Sequence, residues 1–179
     1  MKKIFLLAVA IFFALTSTTL AATQNAQKVG VVIIGGVEFK TEDFYKIVKN
    51  ELKPLSGAEI VVGNDLQTRY KKYWLRKGYI GEQQPEKEDL INFTASSGCK
   101  KVVYVIVSDA VVDSRTSAKH RQKDRVSVQL DAYLCTTTDV VDVFAASDEQ
   151  NSKGSALRAR RGAFKKSFVE ISKTLSNYI

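Results

Sequence analysis

The hydrophobic and polar positions of the chain follow two different periods, which predict where strands and helices lie. Short runs rich in Val and Ile at 28–36 and 58–62 predict buried strands. Apolar residues at helical spacing lie between and after these runs. They predict helices that begin at Thr41, Asp65 and Glu86. Asp65 can cap the second of these helices, which runs to about Gly78.

The second half of the chain changes to a strand period. Three consecutive strands are predicted at 101–112, 126–135 and 139–145, and the second alternates strictly between apolar and polar positions. A final helix follows Gly154 and Ser155. Its predicted apolar stripe consists of Leu157, Phe164, Phe168, Ile171 and Leu175.

The resulting order is β-α-β-α-α-β-β-β-α. Helices between the early strands require crossover connections, whereas the late strands form a meander. This pattern predicts an α/β fold of the α+β sandwich type, with helices packed on a mixed β-sheet and an amphipathic helix at the C-terminus.

The N-terminal segment has the pattern of an export signal. Lys2 and Lys3 precede the apolar run Ile4–Leu15, and small residues lead to a cleavage site after Ala21. The run is shorter than the roughly 20 residues that span a bilayer, although a retained anchor is the alternative. We therefore expect a signal peptide at 1–21 and a single domain at 22–179. We expect the protein to be periplasmic or secreted, and unlipidated because no Cys follows the run.

The charge of the chain is positive: 27 Lys and Arg residues face 19 Asp and Glu residues, for a formal net charge of +8. A positive excess raises encounter rates with anionic partners without choosing among them. For an exported protein, the expected partners are an envelope protein or an anionic envelope polymer or lipid surface. Nucleic acid is not an expected partner there.

The two cysteines, Cys99 and Cys135, are candidates for a disulfide. Export and an even cysteine count favour a bridge over two free thiols. A hairpin register that places Cys99 opposite Cys135 also places Val107 opposite Ser127 and keeps both cysteines on one face. This register predicts a disulfide-linked hairpin.

A basic segment at 113–125 is predicted at the tip of that hairpin. It is either a solvated loop or a contact for an anionic surface. The candidate contact residues are Arg115, Lys119, His120, Arg121, Lys123 and Arg125. His120 is the only histidine in the chain, and no ligand cluster accompanies it, so neither a metal site nor another cofactor is expected.

Two further segments have a structural and a functional interpretation. Gly35 and Gly36 follow the first strand, where α/β proteins often bind ligands, but the phosphate-binding glycine motifs are absent and a turn is the alternative. The segment 69–79 interleaves aromatic and basic residues. It suits either a membrane interface or, as we favour, a core face formed by Tyr70, Tyr73 and Trp74.

Several of these segments resemble one group of envelope proteins. The matching segments are VGVVIIGG (29–36), IVVGNDLQTRY (60–70), SSGCKKVVYVIVSDAVV (96–112) and VSVQLDAYLCTTTDVV (126–141). Together they resemble the envelope α/β domain of the curli secretion protein CsgG, the penicillin-binding-protein activator LpoB and the amino-terminal domain of TolB. The chain departs from that group by Cys99-Lys100 in place of Ala-Asp, by Thr136–Thr138 in place of a Thr-Gly turn, and by the missing lipid-bearing Cys. The resemblance implies a sheet-based adaptor and no catalytic residue.

Two functions follow as expectations. The first is a non-enzymatic exported envelope protein that acts as an interaction or adaptor module for protein or anionic envelope components. The alternative is a periplasmic binding protein for a small anionic ligand near the end of the first strand. A polar pocket beside Gly36 with converging Lys or Arg would favour the alternative, and a flat apolar patch on the exposed strand face would favour the adaptor.

Overall fold

The structure of the protein, a computed structural model, describes residues 27–53, 57–79, 83–116, 122–153 and 155–179. The predicted signal peptide lies outside the described residues. The strands are β1 (Lys28–Ile34), β2 (Glu59–Val62), β3 (Lys101–Thr116), β4 (Gln122–Thr136) and β5 (Val140–Lys153). The helices are α1 (Glu42–Leu52), α2 (Asn64–Arg76), α3 (Lys87–Ser96) and α4 (Ala156–Leu175). This order confirms the predicted β-α-β-α-α-β-β-β-α pattern.

The five strands form one mixed sheet in the order β2-β1-β3-β4-β5. β1 pairs in parallel with β2 and with β3, whereas β3, β4 and β5 form an antiparallel meander. The chain moves from β1 to β2 on one side and then returns across β1 to β3. α1 packs on one face of the sheet, and α2 and α3 pack on the other, as right-handed crossovers require when the direction reverses.

The alternation of side chains along the strands divides the core into two layers. Val31 and Ile33 of β1 face α1 and α4, whereas Val32 faces α2 and α3. β4 behaves as its pattern predicts. Its apolar residues are all buried in the α1 and α4 layer: Val126, Val128, Leu130, Ala132 and Leu134. Gln129, on its other face, is exposed.

Two helix predictions need correction. The N-cap of α2 is Gly63 rather than Asp65, which lies inside the first turn. Gly63 has φ +137°, a conformation that glycine adopts more readily than Asp, so the helix begins one residue after it. In α4, Leu157 is exposed because it lies in the first turn against a shallow groove beside α1, and Ala163 is buried instead.

The predicted disulfide also needs correction, because both cysteines are buried free thiols. Val102, not Cys99, lies opposite Cys135, and Val107 lies opposite Leu130 rather than Ser127. Over residues 101–111 the ladder is shifted by three residues from the predicted register, and Cys99 precedes β3, which begins at Lys101. The two thiols nevertheless belong to the same buried cluster, between the sheet and α2 and α3.

Candidate functional site

The site lies where β2 stops and β1 continues. The last residue of β2, Val62, pairs with Val31, so the backbone of Ile33 has no strand partner on that side. The side chain of Gln67 takes the place of a strand there. The Ile33 N–H donates to Oε1 of Gln67 at 3.1 Å, and Nε2 of Gln67 donates to the Ile33 carbonyl at 2.7 Å. This pair holds the start of α2 against the carboxyl end of β1.

A cavity of about 460 Å³ opens at this point, between the end of β1, α1 and α2. Its lining includes Ile33, Gly35, Tyr45, Tyr70 and Trp74. The connections that follow β1 and β2 diverge here to opposite faces of the sheet. Ligands of open α/β sheets bind outside the carboxyl ends of strands at such a point.

Of the two residues of the predicted ligand loop, Gly35 and Gly36, the structure places the first in the lining of the cavity. Gly35 lies in the lining with φ +147°, and a Cβ at this position would lie 2.7 Å from the backbone oxygen of Val107. Gly35 is therefore required by the close approach of β1 to β3. Gly36 is not among the described lining residues, and its nearest side chain is that of Glu38.

Two buried tyrosine hydroxyls in the lining have no hydrogen-bond partner among the described residues. Tyr45 is 3% exposed and Tyr70 is 5% exposed. Tyr104, in the same core, differs from both: its hydroxyl donates to the Leu90 carbonyl at 2.8 Å and lies 2.9 Å from the hydroxyl of Thr94. Because buried polar groups are nearly always paired, two unpaired hydroxyls in one lining call for an explanation.

Both of these hydroxyls keep their protons at neutral pH. Burial raises the pKa of Tyr45, and the charge of Glu42 adds to the rise. Burial also raises the pKa of Tyr70, with a further contribution from Asp89. Each phenol is therefore a neutral hydroxyl that can donate one hydrogen bond.

The aromatic wall of the cavity is held by Asp89, a buried carboxylate on α3. Its oxygens accept hydrogen bonds from the hydroxyls of Tyr73 at 3.0 Å and Tyr79 at 2.5 Å, and Lys77 forms an ion pair with it at 2.9 Å. The ring of Tyr79 stacks on Trp74, with centroids 3.8 Å apart. Burial alone would raise the pKa of Asp89, but these hydrogen bonds outweigh burial and its pKa is lowered.

The charge of the lining is positive. Lys40 and Lys71 contribute to it, and no carboxylate belongs to the part of the lining that the structure describes. Asn64, the first residue of α2, also lies in the lining, and Gly63 before it provides no side-chain cap. The uncapped N–H groups of a helix start carry partial positive charge.

The structure describes three of the six predicted basic contact residues. Lys119, His120 and Arg121 lie outside the described residues. Arg115 and Lys123 are register partners, because β3 and β4 extend further into the predicted tip than their alternation indicated. Arg125 is exposed and forms an ion pair with Glu149 of β5.

The aromatic and basic segment at 69–79 is divided between core and surface. Tyr70 is buried, Tyr73 and Trp74 pack partly against the core, and Leu75 is exposed. The core interpretation is thus confirmed for the three predicted aromatic residues. Sequence reasoning did not single out Tyr45, Gln67, Lys40 or Lys71. Of these four, only Tyr45 could have been found from the sequence, because it places a polar hydroxyl beside Phe44 on the predicted core face of α1.

The described residues contain no group of three His, Cys, Asp or Glu side chains that could hold a metal ion. Over the same residues, no helix is both long and apolar enough to cross a membrane.

The fold and the cavity define a mixed α/β sandwich with an open pocket at the carboxyl end of its central parallel strand. No protein-family model matches the chain, and no curated protein matches its sequence significantly. Among solved structures, it is similar to the PelC dodecamer of Paraburkholderia phytofirmans, with 13% identity, a TM-score of 0.40, and coverage of 82% of this chain and 88% of that chain.

Two further solved structures show the same level of similarity. A homolog of the neuraminyllactose-binding hemagglutinin from Helicobacter pylori is 12% identical, with a TM-score of 0.40 over 87% of this chain and 84% of that one. A lipoprotein from Neisseria meningitidis is 11% identical, with a TM-score of 0.41 over 84% of this chain and 99% of that one. These similarities are too low to assign a family, so the proposals below depend on the geometry of this chain.

Proposed function

We propose that this protein is an exported, non-enzymatic binding protein that holds a small anionic ligand in the cavity at the carboxyl end of β1. The N-terminal pattern of charge, apolar run and small residues supports export. The cavity at the carboxyl end of β1, with the unpaired hydroxyls of Tyr45 and Tyr70 among its lining residues, is the observation that carries the binding role.

The physical reason is the cost of an unpaired buried hydroxyl. Leaving such a group without a hydrogen bond costs about 1–3 kcal/mol. Two such groups cost a large fraction of the total stability of a single domain. A ligand that accepts a hydrogen bond from one of them offsets part of this cost; the two lie in different core layers, Tyr45 with α1 and Tyr70 with α2. Lys71, which is exposed in the lining, favours a negative charge on that ligand.

An anionic dye tests the site directly. We expect 1-anilinonaphthalene-8-sulfonate to bind the folded protein with one site per chain and with a rise in dye fluorescence. Thr68 is an exposed residue of the lining, so Thr68→Phe should fill part of the cavity and weaken dye binding by about tenfold or more.

The matched control is Lys72→Phe, which adds the same ring to an exposed position of α2 outside the described lining. It should leave the dye affinity unchanged. Equal weakening by both variants, or no saturable binding to the wild-type protein, would refute the cavity as the ligand site.

The adaptor function is the second candidate, and it is supported by the uncovered face of β3–β5. Ser108, Gln129 and Ser147 lie exposed on this face, opposite the one that α4 covers. Small and polar residues make up the middle of this face, whereas Val141 and Val143 are about half exposed at the start of β5. This mixture suits a wet, transient contact better than a stable apolar interface. The cavity is the more specific feature, so we place ligand binding first.

A further inference from the structure

β5 forms one edge of the sheet, and its outer side is unpaired. It is the last strand in the sheet order, so no strand of the described chain lies beyond it. The N–H of Val143 donates to Oδ1 of Asp142 at 2.7 Å, which places this N–H outside the ladder with β4. Backbone groups alternate in direction along a strand, and the register beyond Val143 has no further shift. The outer side of β5 therefore carries the N–H and C=O groups of Ala145, Ser147 and Glu149.

This edge lacks most of the features that prevent pairing between molecules. Proline, lysine, bulges and very short strands protect exposed edges. β5 has 14 residues and no proline, its only lysine is its last residue, and its bulge lies near its start, at Val141. The opposite edge of the sheet, β2, has only 4 residues. β5 is thus the edge that is long enough to pair with a further strand.

The charges beside this edge are arranged in a self-complementary order. A shallow groove between β5 and α4 is lined by Ser147 and Asp148 on the strand and by Lys166, Val169 and Glu170 on the helix. Lys166 and Glu170 are exposed and lie one helical turn apart, and Nζ of Lys166 lies 4.0 Å from Asp148. A two-fold axis brings the same surface of two copies together, so a positive and a negative site on either side of the axis attract each other twice.

The spacing of the elements also accommodates a second copy. α4 packs on both β4 and β5, so its axis lies about one strand spacing from the outer boundary of the sheet. Two copies joined at β5 would therefore place their α4 helices about 10 Å apart, which is close to the distance between packed helices. The helices would touch through the side chains that line the groove.

We propose that β5 pairs in the antiparallel direction with β5 of a second copy, about a two-fold axis at Ser147, and joins two five-stranded sheets into one. Ser147 then lies opposite itself and Ala145 opposite Glu149. Lys166 of each α4 faces Glu170 of the other copy. The contact is independent of the ligand cavity, whose described lining includes no residue of β5 or α4.

The charges of β5 favour this position of the axis. An axis at Asp148 would place that carboxylate opposite itself, and an axis at Ala145 would place Asp142 opposite Asp148. An axis at Ser147 opposes no like charges. It also keeps the axis beside Lys166, because Ser147 is part of the same groove.

Sedimentation equilibrium tests the association. The purified protein should show a reversible monomer–dimer equilibrium, and Ser147→Pro should weaken it by about tenfold or more, because each copy loses a hydrogen bond at the axis. The N–H of Ser147 points away from β4, so proline removes no bond of the β4–β5 ladder. Far-UV circular dichroism of Ser147→Pro should match that of the wild type.

Ser147→Cys tests the register. Directly opposite residues of an antiparallel pair have Cα atoms about 5.5 Å apart, a distance that a disulfide can span. The native thiols are buried, so Ser147→Cys should form a covalent dimer under mild oxidation. The matched control is Ser108→Cys, since Ser108 is exposed in the same row of the sheet, aligned with Ser147 through Gln129, but lies two strands from the edge. It should stay a monomer on a non-reducing gel.

Lys166→Glu and Glu170→Lys test the contact between the helices. Either variant alone opposes like charges twice and should weaken its own dimer by about fivefold. In a mixture of the two variants, every carboxylate faces an ammonium group, so tagged Lys166→Glu should retain Glu170→Lys on an affinity column better than it retains untagged Lys166→Glu.

Each alternative has a distinct result. A protein that stays monomeric at every concentration would overturn the proposal. A dimer that Ser147→Pro leaves intact would overturn it too, because its interface would lie elsewhere. If Ser147→Cys links only to a different envelope protein, the edge serves that partner and the second copy is wrong. Equal cross-linking of Ser108→Cys and Ser147→Cys would show random collision instead of a defined register.

Discussion

At the scale of single residues, the tyrosines of the core show how one chemical group takes different roles. The hydroxyl of Tyr104 has two partners inside the protein and serves the fold. The hydroxyls of Tyr45 and Tyr70 have no partner among the described residues, so each lowers the stability of the fold by the cost of an unpaired buried group. A residue that lowers folding stability and lines a pocket is better explained by a role in binding than by a role in packing.

This difference can be measured in the ligand-free protein. Tyr70→Phe and Tyr45→Phe should leave the free energy of unfolding unchanged or raise it by up to about 1 kcal/mol, because each removes an unpaired hydroxyl. Tyr104→Phe should lower it by about 1 kcal/mol, because it removes paired hydrogen bonds. Urea denaturation gives all three values, and a loss in Tyr70→Phe equal to that in Tyr104→Phe would show that its hydroxyl is paired.

At the scale of elements, α2 and α3 are joined through one carboxylate. Asp89 lies in the first turn of α3, where the helix dipole also favours a negative charge. It accepts hydrogen bonds from Tyr73 on α2 and from Tyr79, which follows α2. Because the ring of Tyr79 stacks on Trp74, these hydrogen bonds also fix the position of Trp74. The aromatic wall of the cavity thus depends on an element that does not itself line the cavity.

We expect Asp89→Asn to lower the free energy of unfolding by about 1.5–3 kcal/mol, the range for hydrogen bonds to a charged group. The emission of Trp74 should change as well, because Tyr79 loses its anchor. Asp139→Asn is the control: Asp139 also pairs with a lysine, Lys87, but lies exposed, so its loss should be smaller.

The same variant has a defined pH dependence. The pKa of Asp89 is lowered in the folded protein, so the unfolded chain binds the proton more readily. The stabilisation by Asp89 is therefore complete above its unfolded pKa of about 3.9 and is lost as the pH falls through the folded pKa. The difference in stability between wild type and Asp89→Asn should shrink as the pH falls below about 4. A difference that stays constant down to about pH 2 would contradict this assignment.

At the scale of the whole molecule, the sheet separates two buried layers. The larger layer joins α1 and α4 to the sheet, and the smaller one lies under α2 and α3 and contains both thiols. Burial raises the pKa of Cys135 to about 12, so its thiolate is scarce at neutral pH. Reaction of this thiol therefore requires an opening of the smaller layer.

We expect the native protein to react slowly with Ellman's reagent and the denatured, unreduced protein to react at once with two thiols per chain. Any ligand that stabilises the fold should slow the native reaction further. Cys135→Ala should leave one thiol in the denatured state as a control of the count. Finding no thiols in the denatured wild-type protein would instead show that the two cysteines are bridged.

Local patterns in the sequence determined the order of the elements, the alternation along β4 and the core face of α2. These follow from the residue periods of strands and helices, which are fixed by backbone geometry within each segment. Export, the adaptor function and the basic contact at the hairpin tip stay predictions. The register of β3 against β4 could not be read locally, because residues 102–105 of β3 are buried on both faces of the sheet and do not show which of them share the apolar face of β4. The predicted disulfide depended on that register.

Only the tertiary structure brought the site together. The cavity combines the end of β1 with residues of α1 and α2, and the topology that reverses direction at β1 places these segments side by side. That a hydroxyl such as that of Tyr70 has no partner is a property of its surroundings and not of its position in the chain. The sequence by itself determined the elements and the residues available, and three-dimensional packing decided which polar groups are buried without a partner.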